Sequence, residues 1–443
     1  MIRILPDVLL IFFVSIISAS DPIPAPVQDH PILLKNGVIH TVGDTTLPSG
    51  AILFENGKIT AIKKMIIPPG NAEVIDLEGK HVYPGFISSV TSIGLMEIGA
   101  VKATVDFAER GRLNPNVRAN VSYNPDSEII PVTRSNGVLL ANATPASGLI
   151  SGQSSLMMLD GWTWENATLK HPTGLHINWP KMTLNLNPKA KKSLKKQKQE
   201  RQQQLQDLDD FFDQVRAYAK LREINPKNTL HQQDQDLRLE GMLPFLRRES
   251  PIFVHANEIR QIEAAIHWAK RQKVNIIIIG GRDAWRTTDL LKKNQIPVIY
   301  ESVLSLPYRR YEDYDQTFKT PARLYQAGVQ FCIAASGASF ETPHQRNLPY
   351  HAAMAAAYGL PKEVALKSIT LFPAEILGVA DQIGSLAVGK DATLFITDGD
   401  PLDARTHVEQ AFIQGKKIDM RDRHKILYQK YQEKYRQLGL LKD

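Results

Sequence analysis

From residue 84 to residue 383, continuous apolar runs of β-forming residues alternate with helical stretches. GVLLANA, PIFVHAN, VNIIIIGG, IPVIYES and VQFCIAAS are separated by segments such as EIRQIEAAIHWAKRQ and DAWRTTDLLKKNQ. A strand without polar alternation has no face to give to water, so its neighbours must cover it on both sides. Amphipathic helices between parallel strands supply that cover. The repeat predicts an α/β protein built on a (β/α)₈ TIM-type barrel. An open doubly wound sheet is the rival. No Gly-x-Gly-x-x-Gly follows a strand, so a dinucleotide site is unsupported.

Both flanks of this region read differently. Residues 32–83 carry short β-type runs around Asn-Gly and Glu-Gly pairs. Asn36-Gly37 and Asn56-Gly57 predict hairpins, because type I′ turns need positive φ at both central residues. A small antiparallel sheet is expected. Short strands return at 384–420, and the two flanks are expected to join into one composite sheet domain drawn from both ends of the chain. Residues 421–443 read as a polar helix with an Ile-Leu-Tyr stripe.

An insertion at about 188–223 interrupts the barrel. Leu205, Leu208, Phe211, Phe212, Val215 and Ala219 fall at helical spacing, which predicts one packed face in its second half. Its first half holds Lys189, Lys191, Lys192, Lys195, Lys196, Lys198 and Arg201. This basic block and Asp207, Asp209 and Asp210 are expected on one exposed helix. They form either a solvated arm or a contact for an anionic surface.

Residues 1–20 begin with a basic residue, continue through an apolar run and end in Ser-Ala-Ser, the order of a secretory signal peptide. Residues 21–31 follow as an extended linker. The expected location is periplasmic or secreted, with no transmembrane segment in the mature chain. The net charge of +7 raises nucleic acid as a partner. Export argues against it, as does a basic block without interleaved aromatics for base stacking. The single cysteine, Cys332, rules out an intramolecular disulfide and a thiolate-rich metal site.

LEGKHVYPGFI at 77–87 and TLFPAEILGVADQIGSLAVGKDATLFITDGDPL at 370–402 closely resemble the amidohydrolase superfamily, most nearly its imidazolonepropionase-like branch. The resemblance implies that the first phrase leads into barrel strand 1. The second closes the barrel and re-enters the small sheet, with Gly389-Lys390-Asp391-Ala392 at the turn. It also implies one or two divalent metals at the carboxyl ends of the strands. Their ligands are a His-x-His on strand 1, Lys or Glu on strand 4, His on strands 5 and 6, and Asp on strand 8. Such a metal turns bound water into a nucleophile near neutral pH.

Position by position, the match is incomplete. Ser88 stands where the family has Asp, and Val90 and Ser92 stand where it has the two histidines. Strand 4 offers His176. His255 falls on the strand 5 ligand position. Strand 6 has Gly280-Gly281 with Asp283 close behind, and strand 8 has Ala335-Ser336-Gly337 in place of the acid. The candidate metal ligands are therefore His176, His255 and Asp283, holding one zinc, manganese or iron ion, or none. The candidate catalytic residues are His255, Glu258 and Asp283. Glu258 and Asp283 also read as helix-start carboxylates, and His176 as a buried hydrogen-bonded histidine. Glu301, Glu341, His344 and His351 lie at predicted carboxyl ends of strands. The Gly/Ser-rich run at 146–155 is either an anion cradle or a tight turn.

Two functions follow. One is an exported hydrolase acting on a carbon–nitrogen bond, other than an ordinary peptide bond, in a small molecule. The other is a catalytically lapsed barrel that binds a ligand or partner. A homo-oligomer fits either. Convergence of His176, His255 and Asp283 on one point discriminates between a metal site and its absence.

Overall fold

The computed structural model describes residues 23–43, 45–224, 236–301 and 303–441; the leader expected at 1–20 lies outside them. The first flank forms β1 (Ile32–His40), β2 (Thr46–Glu55), β3 (Lys58–Lys63), β4 (Glu73–Asp76) and β5 (His81–Pro84). Asn56 and Gly57, with φ of 52° and 77°, turn β2 into β3 as predicted. Asn36-Gly37 does not make a hairpin: β1 runs straight through it with a shift of register. β4 and β5 pair parallel to β1 on either side of this shift. Gly79 N–H donates to the Asn36 carbonyl at 2.8 Å, and Asn36 Nδ2 donates to Asp76 at 2.9 Å. A Cβ on Gly37 would lie 2.2 Å from Leu77 Cδ1, so the glycine admits the neighbouring chain at a bulge. The sheet is mixed, where an antiparallel one was expected.

The barrel follows as β6 (Phe86–Thr91), β7 (Val138–Ala143), β8 (Ile150–Met158), β9 (Thr168–Asn178), β10 (Ile252–Ala256), β11 (Ile276–Gly280), β12 (Val298–Tyr300) and β13 (Phe331–Ile333). These eight strands pair in sequence order. β8 departs from the uniform repeat by running antiparallel to both neighbours. The connections at 144–149 and 159–167 explain it, since a parallel neighbour needs a crossover of about a dozen residues or more. The gap between β13 and β6 is bridged by backbone at 368–369. Ile333 N–H donates to Ser368 and Ile87 N–H to Ile369, both at 2.9 Å. Cys332 is buried on this seam beside Ser89, and burial pushes its thiol up to about 12.

The second flank adds β14 (Leu394–Thr397), β15 (Val408–Ile413) and β16 (Lys416–Lys417). β14 pairs antiparallel with β5, so this sheet takes strands from both ends of the chain. Leu34, Ile39, Ile52, Phe54, Leu394 and Phe412 fill its core.

The insertion forms one helix, Leu194–Ile224. Leu208, Phe211, Phe212 and Val215 are buried as their spacing predicts, with Phe212 edge-on to Trp268 of the helix Ile259–Gln272. The acidic cluster is not solvent-facing throughout. Asp209 accepts from Trp268 Nε1 at 3.0 Å and Gln272 Nε2 at 2.7 Å, and it pairs with Arg271; Asp207 pairs with Arg112 at 2.7 Å. These carboxylates anchor the helix, while Lys195, Lys196 and Lys198 stay exposed. The last helix, Arg423–Gln437, is capped by Asp422 and leaves Ile426, Leu427 and Tyr428 exposed. Among the described residues no helix is long and apolar enough to cross a membrane.

Candidate active site

His176 on β9 and His255 on β10 meet at the barrel's carboxyl side, with His176 Nδ1 and His255 Nε2 at 2.9 Å. His176 is fully buried against the Phe253 ring, and its Nε2 has no partner among the described residues. Burial holds His255 down to about 4 and His176 well below its usual value. Both rings are therefore neutral at pH 7, and one N–H serves the bond between them.

Asp283, just past β11, is buried and fully engaged. Arg309 Nη1 donates to its Oδ1 at 2.8 Å, Arg309 Nη2 to its Oδ2 at 2.5 Å, and the Ile259 N–H to Oδ2 at 3.1 Å. Burial raises this carboxyl, but the Arg309 bonds, the Ile259 amide and the Arg309 and Arg282 charges outweigh it and hold it below the usual range. The residue ties the start of the helix Ile259–Gln272 to the loop after β12. Arg282 lies over the Tyr308 ring at 3.6 Å in the same loop. Glu258 forms a capping box with Gln261 at this helix start, and its Oε2 is buried without a partner among the described residues.

Glu301, one residue past β12, has a different setting. Its Oε1 accepts the Gly337 N–H at 2.6 Å. Burial pushes the carboxyl up from 4.5 to about 7, with the Gly337 amide as the counterweight. A Cβ on Gly337 would fall 2.5 Å from Val90 and 3.4 Å from Glu301 Oε1, and Ser92 Oγ donates to the Gly337 carbonyl. The mouth corner thus joins the ends of β6, β12 and β13. Glu341 and His344 pair at 3.4 Å on an exposed turn. His351 lies in the helix Leu348–Ala357 with a buried Nδ1, and burial lowers it to about 4.

The three expected metal ligands are not brought together. The two histidines bond each other, and Asp283 is taken up by Arg309. Among the described residues, no group of three or more His, Cys, Asp or Glu side chains is placed to hold a metal ion. This donor set does not fit a resident divalent metal.

Residues 315–419 match the amidohydrolase family. Over this span the chain is similar to the amidohydrolases. An amidohydrolase from Thermotoga maritima MSB8 superposes with a TM-score of 0.77 at 29% identity, covering 88% of this chain and 100% of that one. The amidohydrolase tasK of Hapsidospora irregularis is 21% identical over a 400-residue alignment that covers 83% of this chain. The chain spans 39% of that relative's length. A zinc-bound adenosine deaminase from Xanthomonas campestris shares the fold at 14% identity, with a TM-score of 0.51 and coverage of 93% of this chain and 99% of that one.

Against this amidohydrolase background, sequence reasoning missed Arg309, whose loop offers only a general density of charge and tyrosine. It noticed Glu301 by position but not by chemistry. An acid closing an otherwise apolar strand was the available signal.

Proposed function

We propose that the chain is a hydrolase of carbon–nitrogen bonds, other than ordinary peptide bonds, in small molecules, with Glu301 as its proton-transfer group. One observation carries this reading: a mostly buried carboxyl, held by a single backbone amide, at the face where barrels build their sites. A carboxyl that titrates near neutrality can take a proton from attacking water and return it to the departing nitrogen. His255, on the family's strand 5 position and partly open to solvent, orients water or the carbonyl, with its tautomer set by His176. Asp283 and Glu258, candidates from sequence, become positioning groups that fix the helix after β10. Val90 and Ser92 on the His-x-His positions support chemistry without a resident metal. The imidazolonepropionase-like branch is the nearest fit to the two phrases at 77–87 and 370–402.

A panel of N-acyl amino acids and cyclic amides tests the activity. Glu301→Gln should lose about 10²–10⁴ of kcat/KM, and the wild-type profile should show a limb near pH 7. Wild-type turnover in Glu301→Gln would overturn the assignment. Saturable binding without turnover would return the chain to a ligand-binding barrel. About one metal equivalent per chain by mass spectrometry, lost in His255→Ala, would overturn the metal-free form.

Export belongs to the same reading, supported by the charge and apolar order of residues 1–20. Amino-terminal sequencing of the mature protein should begin close to Asp21; an intact Met1 would count against cleavage.

A further inference from the structure

A cleft of about 540 Å³ lies where the insertion helix crosses the rim of β9. Its floor includes Asn178, the last residue of β9, and Trp179, whose backbone N–H donates to the His255 carbonyl at 3.2 Å. Its opposite wall is the helix, through Gln197 and Arg201. Two further cations, Arg112 and Lys181, also line it.

The cleft is held in shape by its own bonds. Arg201 Nη1 donates to the Met182 carbonyl at 2.7 Å, and Gln197 bridges Asn185 and Lys192. Asn178 Nδ2 donates to Gly148 and Ser151 at 3.0 and 2.9 Å. Gly148 has φ of 67°, and a Cβ there would meet the Arg112 carbonyl at 2.8 Å. Residues 146–149 thus make a tight turn that brings the chain against Arg112, while the rest of the Gly/Ser-rich run forms the start of β8.

The charge is one-sided. The acidic residue of the lining, Glu200, is drawn to Lys192 at 2.7 Å. Arg112 is matched by Asp207, but Arg201 spends this hydrogen bond on a neutral carbonyl and keeps its charge for the cleft. Trp179 is 5% exposed, and its indole N–H has no partner among the described residues. The basic block divides accordingly: Lys195, Lys196 and Lys198 face solvent, whereas Arg201 turns inward.

We propose that this cleft binds a small molecule through a carboxylate or phosphate group held by Lys181 and Arg201. The site is independent of the hydrolytic reading, although its floor adjoins the His255 rung.

Calorimetric titration of the mature chain at about 0.15 M salt, where exposed charges are screened, with citrate in one arm and inorganic phosphate in the other, tests it. One arm should saturate at one site per chain, and the stronger arm identifies the anionic group. Lys181→Gln with Arg201→Gln should weaken binding about tenfold or more, the scale of a lost charged hydrogen bond. Lys195→Gln, Lys196→Gln and Lys198→Gln together should leave it within about twofold, because exposed charges contribute little at this distance. If the double variant melts early, Lys181→Gln alone decides, with a severalfold loss at unchanged Tm. Absence of saturable heat with either anion would overturn the proposal. So would equal weakening in the triple-lysine control, which would mark a diffuse basic surface suited to membranes or polyanions.

Discussion

Asp283 and Glu301 stand at the ends of adjacent barrel strands, both shielded from water, and they titrate in opposite directions. Asp283 faces a guanidinium that fills both of its oxygens; Glu301 faces one backbone amide. Burial penalises both anions. At Asp283 the paired cation wins, and at Glu301 desolvation wins. The difference separates a carboxylate fixed for architecture from one free to exchange a proton near neutrality. Position at a strand end does not distinguish them. The partner does.

The largest effect should come from breaking the paired site. Asp283→Ala leaves Arg309, 21% exposed, without its bidentate partner and the Ile259 amide without its acceptor. Urea denaturation should show a loss of about 2 kcal/mol, from the lost charged hydrogen bonds and the orphaned amide, while Arg309 keeps Glu312 as its second partner. Wild-type stability would mean that the clamp contributes nothing. Asp283 has a lowered native pKa, so its contribution is present above the ordinary carboxylate range and disappears as pH falls through its native value.

Glu301 should behave in the opposite sense. Its native pKa is raised from 4.5 to about 7. Across that interval the folded chain keeps a proton that the unfolded chain has released. Stability therefore falls as pH rises from 4.5 to 7 and levels off above 7. The slope is at most about 1.4 kcal/mol per pH unit, and solvent access reduces the total to about 2 kcal/mol. Glu301→Gln should flatten this segment of the curve. A variant that retains the wild-type slope would place the titrating group elsewhere.

Legibility followed the range of the interaction. Five barrel strands, β7 and β10 to β13, were readable because apolar continuity is a local property of each run, whereas most of β8 lay in the Gly/Ser-rich run read as a turn or anion cradle. The direction of β8 was readable only from loop length, which a repeat-based reading passes over. Asn36-Gly37 carries the same dipeptide as Asn56-Gly57, yet the parallel pairing of residues 73–84 turns it into a bulge. His255 was a candidate because it occupies a strand-end position within a recognisable phrase. Its contact with His176 required knowing that β9 and β10 are neighbours in this register. Arg309 was invisible for the same reason: it reaches Asp283 from a loop 26 residues away.

The histidine pair offers the smallest effect and the sharpest check on its environment. Both rings have lowered native pKa values, by burial first and, at His176, by the neighbouring His255 as well. Their contribution to stability is present above the ordinary value of 6.5 and is lost as pH falls from there toward about 4, where the buried rings resist the protons that the unfolded chain accepts. His176→Leu removes one such ring, together with its unpartnered Nε2, at a site already lined by Phe253. The cost at pH 7 should stay near 1 kcal/mol, the scale of one hydrogen bond, and the acid limb of the stability curve should become shallower. His255, lowered by burial and not by its neighbour, should titrate no higher in this variant by nuclear magnetic resonance, and lower where a neutral His176 Nδ1 had accepted its proton. A midpoint that rose in His176→Leu would overturn this account, because it would mean that the neighbouring ring, and not burial, holds His255 down.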